Sequence, residues 1–172
     1  MSRQLLFCVE ADKKSRTDYQ YIEAVIKRFF VDDRKIIYRP IFMGGKAKYT
    51  SKSVVNEIAK KKKDFKGTTD VIYFVDTDNY NSSQQDRKLL EDIKSFCYTN
   101  SYELVYFTKD IEDVFWGEMI EGKEKVKKVA DFKRKQLINN LIEQKLRTNE
   151  LRRHCSNILL VLEKYWNNRR KQ

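Results

Sequence analysis

The stretch VIYFVDTDNY, Val71 to Tyr80, decides how this chain is read. Five strand-forming apolar residues, Val71, Ile72, Tyr73, Phe74 and Val75, run directly into Asp76, Thr77, Asp78 and Asn79. A short apolar run bounded by turn formers reads as a strand buried on both faces, the kind found in parallel sheets. On an extended chain the side chains at i and i+2 point the same way. Asp76 and Asp78 are therefore expected to aim two negative charges at one small volume. Like charges at that range are costly unless a proton or a cation is shared between them.

Outward from this strand, strands and helices alternate. Residues 4–9 read as a buried strand, and residues 17–31 as a helix with Tyr21, Ile22, Val25, Ile26 and Phe29 on one face. Residues 35–43 read as a second strand, whose Pro40 cannot donate to a ladder and so marks an edge or a bulge. A helix over 50–64, with Thr50 or Ser51 as cap, precedes the opening strand. A helix over 84–99, a fourth strand over 102–107 and a short acidic, aromatic helix over 110–120 follow it. Past Gly122 the chain is basic, with helices expected near 126–132, 134–145 and 155–168. The pattern predicts an α/β protein: a mostly parallel four-stranded, Rossmann-like sheet flanked by helices, with a basic helical C-terminal extension. The expected division is a core over 1–122 and an extension over 123–172 that packs on it.

In such folds ligands bind outside the carboxyl ends of the strands. Glu10 follows the first strand, Asp76 and Asp78 the third, and Asp110, Glu112 and Asp113 the fourth. Oxygen ligands gathered there suit Mg²⁺ or Mn²⁺. His154 is the single histidine, and Cys8, Cys97 and Cys155 are widely spaced. A zinc site and a disulfide framework are therefore not expected. Asp76 and Asp78 could instead form a turn that caps the next helix. Glu112 and Asp113 could serve the dipole of their own helix.

Of the net charge of +11, the last fifty residues carry +10, from 15 Lys and Arg against 5 Asp and Glu. Such asymmetry points to a polyanion, most often DNA or RNA, although lysine-rich solvated helices also produce it. The candidate phosphate contacts are Lys46 and Lys48 after Gly44-Gly45, Lys109, Arg152 and Arg153, and Arg169 and Arg170. The spacing after Gly44 is not that of a nucleotide P-loop. No apolar run approaches the ~20 residues of a membrane span, and the apolar start is short for a secretory leader. A cytoplasmic location without membrane contact is the expectation.

Three segments resemble the Toprim domain, as found in OLD-family nucleases and RloB-like proteins. LLFCVEADKKSRTDYQYI, with Glu10, Thr17, Asp18 and Tyr21, is similar to its strand-Glu opening. VIYFVDTDNY is similar to its strand-Asp-x-Asp, and FTKDIEDVFWGEM to the segment after its fourth strand. The chain departs from that pattern with Ala11 where Gly is usual and a first loop lengthened around residues 12–15. The resemblance implies a magnesium-dependent nuclease or related phosphoryl-transfer enzyme. Glu10 would be general acid/base or metal ligand, and Asp76 and Asp78 metal ligands. It further implies a place in phage defence and a protein partner such as a defence-system ATPase. The altered loop keeps a second reading open, a non-catalytic nucleic-acid- or protein-binding module. A phosphoacceptor signalling domain fits less well, because only Glu10 closely follows the first strand.

Overall fold

The computed structural model describes residues 2–166, 169 and 170. Its four strands are β1 (Arg3–Val9), β2 (Ile36–Phe42), β3 (Thr68–Asp76) and β4 (Glu103–Phe107). They form one sheet in the order β2-β1-β3-β4, with every pairing parallel. The helices α1 (Thr17–Phe29), α2 (Lys52–Asp64) and α3 (Gln84–Thr99) make the crossovers. Helices α4 (Ile111–Trp116), α5 (Glu124–Arg134) and α6 (Ile158–Leu162) follow β4. Pro40 lies on the edge strand β2 opposite Phe7, where its missing N–H breaks no central ladder.

Alternation along the two central strands sorts the core. Leu5, Phe7 and Val9 of β1 and Ile72 and Phe74 of β3 join α1, α4, α5 and α6 on one face. Leu6 and Cys8, with Val71, Tyr73 and Val75, join Val54 and Ile58 of α2 and Leu90, Ile93 and Cys97 of α3 on the other. Both faces are covered, which explains why these strands read as continuous apolar runs. All three cysteines are free and buried. Among the described residues no helix is long and apolar enough to cross a membrane.

The extension corrects two expectations. The helix expected over 134–145 is replaced by two 3₁₀ turns, Leu137–Asn140 and Glu143–Leu146. The helix expected over 155–168 shrinks to α6, with residues 167 and 168 outside the described residues. The cause lies in Cys155, Ser156 and Asn157, which are recruited to the free edge of β4 as an irregular strand. Thr108 N–H donates to Cys155 O at 2.9 Å, and Tyr106 N–H donates to Asn157 Oδ1 at 3.0 Å. Asn157 Nδ2 donates to Leu104 O at 3.0 Å. The asparagine amide thus does for β4 what a fifth strand would, satisfying one donor and one acceptor of an edge that would otherwise be open.

The extension also completes the core. Phe132 of α5 is fully buried against Tyr21, Phe115 and Trp116, with ring centroids 5.1, 5.6 and 6.1 Å away. Ile158, Leu159 and Leu162 of α6 belong to the same cluster as Leu5 and Phe7.

Candidate functional site

The strand order brings the carboxyl end of β1 beside that of β3, the crevice where an open α/β sheet reverses its winding. There the Asp76 N–H donates to Glu10 Oε1 at 2.6 Å, joining residues 66 apart in sequence. Asp18, in the first turn of α1, accepts the Ala11 N–H at 2.8 Å and so ties the loop after β1 to the helix. The lengthened loop folds on itself: Asp12 Oδ1 accepts the N–H groups of Lys14 and Ser15 at 2.7 and 2.8 Å. That Asx-type turn is exposed and leaves the Glu10–Asp76 contact intact. Asp110 caps α4, accepting the Asp113 N–H at 2.6 Å, and α4 in turn carries Glu112 into the interior.

These groups form one electrostatic unit. Burial pushes the Glu10 carboxyl up to about 8, with Asp18 and Asp78 adding to the rise. Burial likewise lifts Asp76 well above the carboxylate range, reinforced by Glu10, Asp18, Glu112 and Asp110. Asp18, Asp110 and Glu112 are raised as well, each chiefly by burial. Five carboxyls, Glu10, Asp18, Asp76, Asp110 and Glu112, therefore share one volume at the carboxyl edge of the sheet, Glu112 buried and the other four half-buried.

Two lysines enter this volume. Lys46 is 7% exposed, and its ammonium donates to Asp76 O at 2.8 Å and pairs with the Asp78 carboxylate. It reaches there because Gly45, at φ +118, turns the chain back so that its N–H donates to Glu10 O at 2.8 Å. Lys125 of α5 pairs with Glu112 at 3.0 Å. Burial opposes the charge on Lys125, but Glu112, Asp76 and Asp18 outweigh it and raise its pKa. Glu112 Oε1 remains buried without a hydrogen-bond partner.

Several expected site residues take other positions. Asp78 leaves the extended conformation, with φ +47, so the i, i+2 argument does not apply. Asp76 enters the cluster, while Asp78 is 45% exposed on Lys46. Asp113 is buried but turned to the extension, with Oδ2 3.0 Å from His154 Nδ1. Lys46 is buried beside the cluster and paired with Asp78, rather than standing free on the surface. Lys48 and Arg152 are exposed, Arg152 on Glu150. Lys109 and Arg153 line a cavity of about 320 Å³ beside the cluster. Arg169 pairs with Glu143 and Glu163 at 2.7 and 3.3 Å. Arg170 donates to the carbonyls of Phe29 and Phe30 at 2.9 and 2.8 Å, at the C-terminus of α1. These two arginines are anchors rather than a loose basic tail.

Of the acidic unit, the β1, β3 and β4 ends were legible from strand-end position. Asp18 was visible only through the Toprim-like opening. No local pattern marks Lys125 as the partner of Glu112. A cavity of about 410 Å³ between α1 and α5 contains none of the five carboxyls.

Among the described residues, no three His, Cys, Asp or Glu side chains surround a common point as a bound metal ion requires. Their chemistry nevertheless suits a hard cation. The donors are all oxygen, and the buried Glu112 Oε1 has no hydrogen-bond partner. No protein-family model, curated protein or solved structure matches the chain.

Proposed function

We propose that the protein is a Mg²⁺- or Mn²⁺-dependent phosphodiesterase or phosphoryl-transfer enzyme acting on nucleic acid. The observation that carries this reading is the crowding of Glu10, Asp18, Asp76, Asp110 and Glu112 at the carboxyl ends of the strands, with their protonation raised. Perturbed carboxyls gathered in a crevice are a physical signature of a working site. Asp76 and Glu112 would hold the divalent ion, with Asp18 and Asp110 completing the negative field. When bound, such an ion polarises a phosphoryl oxygen and lowers the pKa of water.

The protein's own groups have separable tasks. Glu10, raised to about 8, holds a proton near neutral pH and can exchange it with a reacting oxygen. Lys46, fixed between the Asp76 carbonyl and the Asp78 carboxylate, offers positive charge to a phosphate arriving above it. The Toprim-like segments support the same chemistry and a role in phage defence alongside an ATPase, and the proposed setting is cytoplasmic.

A second reading draws on Lys46 and Lys125. Two ammonium groups already offset part of the acid, as they would in a non-catalytic binding module built on this frame.

The deciding experiment titrates Mg²⁺ and Mn²⁺ into wild type and Asp76→Asn, following thermal melting and cleavage of labelled DNA and RNA. Wild type is expected to gain about 3 kcal/mol at a hundredfold excess over Kd and to cleave. Asp76→Asn is expected to lose that gain and at least about 100-fold in rate. Cleavage by Asp76→Asn at the wild-type rate sinks the site assignment. Salt-sensitive binding without turnover under any divalent ion selects the second reading.

A further inference from the structure

We infer that the recess beside the acidic cluster is a subsite for one unpaired nucleotide of a nucleic-acid strand. This deepens the polyanion side of the reading above and rests on it, but not on catalysis. The recess, about 320 Å³, lies where the turns after β3 and β4 meet the segment of the extension before α6. That volume falls at the small end of ligand sites, enough for a single nucleotide and too little for a base pair.

Its lining holds the three chemistries a nucleotide needs. Lys109 and Arg153 supply positive charge for phosphate. Lys109 is held at φ +70 by its own backbone: its N–H donates to Thr77 Oγ1 at 2.8 Å, and its carbonyl accepts the Asp78 N–H at 2.7 Å. A left-handed conformation in a side-chain-bearing residue is retained only when neighbours enforce it. Arg153 is 72% exposed, and its contact with Asp113, at 3.9 Å, is too long for a hydrogen bond.

Thr108 supplies a polar group. It is one of the lining residues, is only 8% exposed, and its buried hydroxyl has no hydrogen-bond partner. A buried orphan of this kind is costly, and a base edge or sugar hydroxyl reaching it would satisfy it. Tyr80 supplies an aromatic surface, with the Arg87 guanidinium 5.5 Å from its ring centroid. Stacking on an aromatic ring is open to an unpaired base and closed to a paired one.

Asp78 joins the recess to the cluster. It lines the recess, and its carboxylate is neutralised by the lysine that also grips the Asp76 carbonyl. A strand with one nucleotide seated here carries its neighbouring phosphodiester over Lys46 toward Asp76. The subsite thus selects single strands and unpaired ends or bulges.

The test measures binding of a fluorescein-labelled single strand by anisotropy in EDTA, so that turnover plays no part. The proteins are wild type, Lys109→Ala/Arg153→Ala, Thr108→Val and a remote charge control, Lys60→Ala/Lys63→Ala on α2. Removing the two recess cations should weaken single-strand binding about tenfold or more. It should also lower the log–log salt slope by about 1.4, the value for two phosphate contacts on a single strand. Thr108→Val should weaken binding about threefold or more with the slope unchanged. The control and a duplex competitor should have smaller effects. Single-strand affinity in Lys109→Ala/Arg153→Ala matching that of the remote control overturns the subsite, as does equal competition by duplex. If wild type binds no single strand, the subsite and the nucleic-acid reading both fall. Binding as expected with no cleavage in Mg²⁺ keeps the subsite and removes the enzyme. Cleavage with unaltered binding in the recess variants removes the subsite alone.

Discussion

Asp76 and Glu10 are acids held where ionisation is opposed. For Glu10 the folded protein keeps the carboxyl protonated up to about 8, against an ordinary value of 4.5. Between those values the folded state binds more protons than the unfolded chain, so this group's contribution to stability declines as pH rises. Asp76 works in the same direction. In EDTA, melting temperature should therefore fall between about pH 5.5 and 8, and Glu10→Gln should flatten the fall, raising the pH 8 value by about 2–6 °C. Calorimetry at the two pH values checks this, and an equal slope in wild type and variant defeats it. Divalent cations should act oppositely, with a stabilisation that grows with pH, because ligands must shed protons to bind. Lys46→Met should destabilise more at pH 8 than at pH 5.5, since the charge that appears on Glu10 toward pH 8 then lacks the nearby ammonium that favours it.

At the scale of elements, the free edge of β4 is the most exposed weakness of the sheet, and Asn157 manages it. Asn157→Ala removes the partners of the Tyr106 N–H and the Leu104 carbonyl together. The expected loss is about 2–4 kcal/mol in urea unfolding, from two buried groups left unpaired. Asn157→Asp keeps the acceptor for Tyr106 and loses the donor to Leu104, so it should fall between. If Asn157→Ala unfolds at the wild-type midpoint, the side chain is not the edge cap described here. The strands and crossover helices were legible because each carries a local signal: apolar runs for β1 and β3, period 3.6 for α1 and α3, and Ser51 as a cap for α2. The 134–157 region misled because its apolar residues do keep helical spacing, while their burial is decided by β4 and α1 across the chain.

For the whole molecule, the extension is part of the fold rather than an attachment to it. Val129, Phe132, Leu146, Ile158, Leu162 and Trp166 cover the same sheet face as α1. A chain ended after Gly122 should expose that face and aggregate, as read by size-exclusion chromatography and dye binding. Phe132→Ala in the full chain should cost about 3–5 kcal/mol. A soluble, cooperatively melting 1–122 fragment would contradict this account. The charge balance is reshaped as well: Lys125, Arg147, Lys164 and Arg169 are paired with carboxylates. The basic surface is therefore smaller than the composition suggests, and Arg153 is among its freer members.

The sequence by itself determined the parallel α/β frame, the reading of β2 as an edge or bulged strand, and the arrival of acid at the ends of β1, β3 and β4. Those follow from side-chain period, from the missing N–H of Pro40 and from the rule that strand ends share one edge. Only the tertiary structure decided which acids meet. A single left-handed residue sends Asp78 to Lys46, α4 divides Glu112 from Asp113, and Gly45 folds a lysine into the site. Such choices depend on one backbone angle or on a partner far along the chain, as Lys125 is for Glu112. A local pattern carries no trace of either, because desolvation and countercharge exist only once the chain has closed around them.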